Sequence, residues 1–163
     1  MKIRRDNMNF FTNNRQVIKG LSLNTGTSAV PEYTEVCTTT EVTLGTDLEQ
    51  QDFYTFCDAI QRSLITGVAM SIETTVKLDI NNKGIQQLIG MIHTLLKDGD
   101  IAQFNNQTVQ FELLTGVEEG ALTYTKYTVP CVLNFSELGG ASEDASEFGL
   151  TIVINGKGTV VAG

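Results

Sequence analysis

Any hydrolytic triad, activated thiol or zinc site in this chain would have to use His93, its one imidazole. Nucleophilic catalysis needs a base within hydrogen-bond reach of the attacking hydroxyl or thiol. His93 follows Ile92 in a helical pattern and falls opposite most of that pattern's apolar residues, so it reads as a solvated helix residue. Cys37, Cys57 and Cys131 are widely spaced and form no Cys-x-x-Cys pair. Structural zinc uses paired ligands at short spacing, so these residues read as reduced, packed thiols and no metal is expected.

The acids offer two further candidates. Glu118 and Glu119 lie between Gly116 and Gly120, and adjacent turn residues point apart, which makes a charged hairpin tip rather than an acid–base pair. The second candidate is the stretch SELGGASEDASEFGLTIVINGKG, residues 136–158. Its glycines are not followed by Gly-Lys-Ser/Thr, and Glu143, Asp144 and Glu147 would repel a phosphate. Calcium is the stronger rival there, through Ser142, Glu143, Asp144 and Ser146, although the alternating spacing of an EF-hand loop is missing. No nucleophile, base and orienting group can be assembled, so an enzyme is not expected.

A chain of 163 residues can bury roughly 70% of its unfolded surface, enough for a sizeable core. Its 41% hydrophobic and 18% charged residues are ordinary globular composition. Apolar runs fall far short of the roughly 20 residues that span a bilayer, and MKIRRDNMNFF lacks an apolar export segment. Neither membrane insertion nor export is expected, and the sequons at Asn106 and Asn134 carry no weight. A net charge of −8 disfavours nucleic-acid binding, which rests on Lys and Arg neutralising phosphates. An acidic wall would nevertheless let DNA pass without adhesion.

The elements that must position these residues are mostly strands. Residues 1–15 are polar and Asn-rich and are expected to form a flexible arm. QVIKGLSL and EYTEVCTTTEVTL flank a turn and read as two antiparallel strands. Residues 45–67 read as a long loop containing a short helical turn, since Phe53, Phe56 and Ile60 have helix-like spacing. AMSIETTVKLDI alternates, with Met70, Ile72, Val76, Leu78 and Ile80 on one face and Ser71, Glu73, Thr75, Lys77 and Asp79 on the other. The period then changes: Ile85, Leu88, Ile89, Ile92, Leu95 and Leu96 mark a helix over about residues 82–97, capped by Asn81 or Asn82 and stopped at Asp98-Gly99-Asp100. Two more strands flank GVEEG, the second with Pro130 at an edge or bulge. Phe148, Leu150, Ile152 and Ile154 form another, NGKG turns the chain, and TVVAG ends it. About seven strands and one helix predict a mostly β fold, a β-sandwich or partly closed barrel with the helix on one side.

The order of these features resembles the major tail tube proteins of long-tailed bacteriophages, most closely over YTVPCVLNFSELGGASEDASEFGLTIVINGKGTV. There a strand, a Gly/Ser/acid-rich loop and a second strand closing on a Gly-x-Gly-like turn follow one another. The layout covers roughly residues 16–161. The resemblance implies one tail-tube-like domain over 1–163, with no cofactor, forming hexameric rings that stack into a conduit for viral DNA. It also implies the virion tail as location after assembly in the host cytoplasm. Its implied partners are copies of itself and the tape measure, terminator and baseplate or tip proteins, while DNA passes without specific binding.

Within that reading Glu41, Thr43, Glu73, Thr75, Lys77 and Asp79 are expected on the lumen wall. Asp52, Phe53, Tyr54, Phe56, Gly139, Gly140, Glu143, Asp144 and Glu147 are expected between subunits. Two alternatives stand: an acidic β-sandwich binding calcium or a glycan through residues 136–147, and a tube protein of a contractile tail or secretion system.

Overall fold

A computed structural model describes residues 13, 16–139, 142 and 144–161. The expected N-terminal arm, apart from Asn13, lies outside them, as do Gly140 and Glu143. The strands are β1 (Ile18–Asn24), β2 (Tyr33–Glu35), β3 (Thr39–Thr55), β4 (Asp58–Lys77), β5 (Gln107–Glu118), β6 (Ala121–Phe135), β7 (Glu147–Ile154) and β8 (Thr159–Val160). Helices α1 (Lys83–Asp98) and α2 (Ala102–Asn105) lie between β4 and β5. All eight strands join one antiparallel sheet in the order β2-β1-β5-β6-β7-β4-β3, with β8 pairing β6. The sheet does not close, and the fold is mostly β with few helices.

One face of the sheet makes the core. Ile18, Leu21 and Leu23 of β1, Val109 and Phe111 of β5, Val129, Cys131 and Leu133 of β6, Phe148, Leu150 and Ile152 of β7, and Ile72 and Val76 of β4 are buried together. Ile85, Leu88 and Met91 of α1 complete the same cluster. Each such side chain contributes about 1.5–3 kcal/mol by leaving water. Thr74 is the polar exception, buried on this face with its Oγ1 unpartnered. A valine there keeps the shape and removes the unsatisfied hydroxyl. Thr74→Val is therefore expected to raise stability by about 1 kcal/mol in urea denaturation.

The switch from β4 to α1 is written in short polar side chains. Asn82 accepts from Gly84 N at 2.9 Å and Ile85 N at 3.3 Å, so two free first-turn amides find a partner. Its Nδ2 donates to Glu35 O, tying the helix start to β2. Gly99 ends α1 at φ 67°, a conformation glycine adopts without penalty, and its N–H returns to Leu95 O. His93 is exposed on this helix, as its spacing implied.

Three expectations change. Residues 45–67 are not a loop with a helical turn. They are the outer parts of β3 and β4, paired from Thr46↔Met70 to Thr55↔Asp58. The strand expected to reach Ile80 stops at Lys77, because Asp79 begins a turn: its O accepts from Asn82 N and its Oδ1 from Asn81 N. Pro130 lies on an interior strand. Its O accepts from Asn155 N, so its ring nitrogen faces the same side, at the break where β6 changes partner from β8 to β7. The missing donor therefore costs no ladder bond.

Candidate functional site

The face of the sheet opposite the core is polar. Register places Glu41 opposite Thr75 and Thr43 opposite Glu73. Next come Thr151 opposite Glu73 and Asn134 opposite Thr151, so one band of acids, hydroxyls and amides crosses β3, β4, β7 and β6. It continues through Gln110, whose Nε2 donates to Thr128 Oγ1 at 3.1 Å, and through Thr108, 3.0 Å from Tyr33 Oη. Lys19 pairs with Glu112 at 3.7 Å and stands over the Tyr124 ring. Lys77 pairs with Glu147 at 3.7 Å, both well exposed. Glu41 and Glu73 make no ion pair among the described residues. Five of the six candidate lumen residues thus share one face, and Asp79 sits apart in the turn before α1.

β3 and β4 run past this sheet as a two-stranded ribbon. β7 pairs β4 only between Met70 and Lys77, so among the described residues the segment beyond Met70 has no third strand. From Thr46 to Thr55 the ribbon extends about 30 Å. Its core-side face carries Leu48 opposite Val68 and Gln50 opposite Ile65, all exposed, and so prolongs the core face without a cover. Near the tip Phe53, Tyr54 and Phe56 are exposed, Phe56 completely. Asp52 accepts from Ser63 Oγ at 2.6 Å and Gln50 Nε2 at 2.9 Å, and these bonds hold its carboxyl below the usual range.

The two sets of candidate inter-subunit residues do not meet. The ribbon leaves the sheet beyond the Met70–Ile154 pair, whereas the 136–147 loop lies at the other end, where Lys77 faces Glu147. Ser146 O accepts from Leu78 N, and Ser136 Oγ from Gly149 N, so both ends of the loop are pinned to the sheet. Gly139, Asp144 and Glu147 are exposed there.

Among the described residues no three His, Cys, Asp or Glu side chains gather as metal ligands. Cys37 and Cys57 are exposed and Cys131 is buried, all three as free thiols. Two of the three therefore do not have the packed environment that their spacing suggested. Burial pushes the Cys131 thiol up to about 12, and a thiol kept protonated is a poor nucleophile. Alkylation at pH 8 is expected to modify two thiols in the native protein and the third only after denaturation, as counted by mass spectrometry. The sign follows: above the ordinary thiol pKa the unfolded chain ionises first, so this group's contribution favours unfolding as pH rises.

Among the described residues no helix is long and apolar enough to cross a membrane. No protein-family model matches the chain, and no curated protein matches its sequence. Solved structures do match in fold. A chain of the virion of a native gene transfer agent particle aligns with TM-score 0.56 at 9% identity, covering 93% of this chain and 100% of that one. A chain from the sheath–tube complex, in the extended state, of an extracellular contractile injection system aligns at 0.52 and 9% identity over 95% and 94%. A chain of the anti-feeding prophage baseplate aligns at 0.51 and 12% identity over 94% and 97%. The chain thus shares its fold with chains of gene transfer agent particles and of contractile injection systems.

Proposed function

We propose that this protein is a structural subunit that polymerises into a tail tube, with its polar sheet face turned to the bore. The observation that carries the reading is the unfinished sheet. Among the described residues β3 is a free edge of 17 residues without a lysine, arginine or proline to protect it, and such an edge in a monomer templates aggregation. Joining copies edge to edge into a closed, hexameric ring gives those backbone groups partners, and stacking rings makes a tube. Glu41 and Glu73 then sit on the wall, where like charge keeps phosphates from adhering as DNA passes. The tape measure, terminator and baseplate or tip proteins would complete the tail. Assembly would take place in the host cytoplasm, and the product would reside in the virion.

The likeness to a chain of a sheath–tube complex supports a second reading within the same class, the inner tube of a contractile device. For calcium in the 136–147 loop, no three His, Cys, Asp or Glu side chains gather among the described residues, and the candidate ligand Glu143 lies outside them. The test is negative-stain microscopy and sedimentation of the purified chain across salt and protein concentration. Rings or tubes are expected, and a strictly monomeric species throughout would overturn the reading.

A further inference from the structure

Charge is unevenly placed along this chain. Residues 1–12, MKIRRDNMNFFT, carry Lys2, Arg4 and Arg5 against Asp6, in a chain with 19 acids and 11 bases. The ribbon has the opposite sign, with Asp47, Glu49, Asp52 and Asp58 against Arg62. Alternation along β3 puts Leu48 on the core-side face with Leu44, and Asp47 and Glu49 on the polar face with Thr43. Asp47, Leu48 and Glu49 are exposed, and among the described residues the outer edge of β3 pairs with no strand.

Register fixes where the segment before β1 joins the sheet. Ile18 lies level with Leu113 and Thr125 across β1, β5 and β6. Cys131, Ile154 and Met70 form a second row across β6, β7 and β4. Thr125 lies on the ribbon side of that row, by about 20 Å along the strand. The chain therefore enters β1 at the ribbon end of the sheet, on the margin away from β3. About 24 Å of strand spacings separates β1 from β3 within one copy. Joining copies edge to edge removes that distance, because the β1–β2 margin of one copy adjoins β3 of the next.

We propose that residues 1–5 of one copy add as a strand to the outer edge of β3 in its neighbour, along residues 46–50. This rests on the tube reading and adds the segment that fastens neighbours together. Lys2 and Arg4 flank Ile3. With Ile3 opposite Leu48, Lys2 and Arg4 fall opposite Asp47 and Glu49 whichever way the added strand runs. Opposite charges facing each other across a strand pair are favourable, and the free N–H and C=O groups of the edge gain partners.

The test uses the full chain in three forms: Lys2→Glu with Arg4→Glu, Asp47→Lys with Glu49→Lys, and all four changes together. None of the four positions belongs to the described core, so melting temperatures are expected to match the wild type. Either pair alone sets like charges against each other and is expected to raise the protein concentration needed for assembly at least about tenfold. All four changes restore opposite charges and should return it to near the wild-type value. An equimolar mixture of the two paired variants should also assemble, since each supplies the segment that suits the other's ribbon. Rescue in the chain with four changes but not in the mixture would put the segment on its own copy and overturn the exchange between neighbours. Paired variants that assemble as wild type, or no rescue in either arrangement, would overturn the contact while leaving the tube reading intact. A wild type that never polymerises would remove the tube reading and this inference with it.

Discussion

A chain in which residues 47–69 are replaced by Asn-Gly, joining Thr46 to Met70, is expected to fold normally and to form no tubes. The excised strands pair only with each other beyond Met70, and most of their side chains are exposed. The core cluster loses none of its buried members. Shortening a surface excursion changes loop-closure entropy slowly, so thermal and urea stability should stay within about 1 kcal/mol of the full chain. Asn-Gly suits a tight hairpin because both residues tolerate positive φ. Sedimentation velocity separates the outcomes: a compact monomer or isolated ring at concentrations where the full chain forms large polymers. A shortened chain that still built tubes would show that assembly does not need residues 47–69.

The largest stability effect is expected one strand further in. Ile72 is 0% exposed and sits opposite Leu44 on β3 and Ile152 on β7. Ile72→Ala removes three buried carbons from a packed centre and leaves a cavity, at a cost of about 3–4 kcal/mol in urea denaturation. Against the usual 5–15 kcal/mol of a domain, that is a large share of the total. The adjacent Glu73 points to the opposite, polar face, and Glu73→Ala is expected to change stability by no more than about 0.5 kcal/mol. The contrast between neighbours tests the face assignment on which the proposed bore wall depends.

How far the sequence revealed this molecule depended on what its pattern had to encode. β4 between Met70 and Lys77 alternates because one face meets a core, and Ile72 and Val76 are buried as the period implies. α1 announces itself through apolar spacing, an Asn cap and a Gly stop, each with its own physical cause. The ribbon has no core on either face, so burial wrote no period of two into residues 46–69. A shift of register between Glu49 and Gln50 then resets the phase, placing Ile65 on the face of Val68. Phe53, Phe56 and Ile60 looked helical only because exposed apolar residues carry no information about direction.

The same logic accounts for the candidate lumen residues. Glu41, Thr43, Glu73, Thr75 and Lys77 were legible because polar residues opposite a core face must share a surface. Asp79 continued the alternation by chance, and the hydrogen bonds that turn the chain at Asp79–Asn82 are side-chain details no periodicity reports. Nor could composition place the acidic loop and the ribbon at opposite ends of the sheet. That follows from the register of β4 against β7.

Cryo-electron microscopy of the assembled polymer, resolved to individual strands, tests the central claim most directly. Glu41, Glu73 and Thr151 are expected on the wall of the bore, with α1 on the outer surface. A polymer with α1 lining the channel and Glu41 and Glu73 facing outward would contradict it.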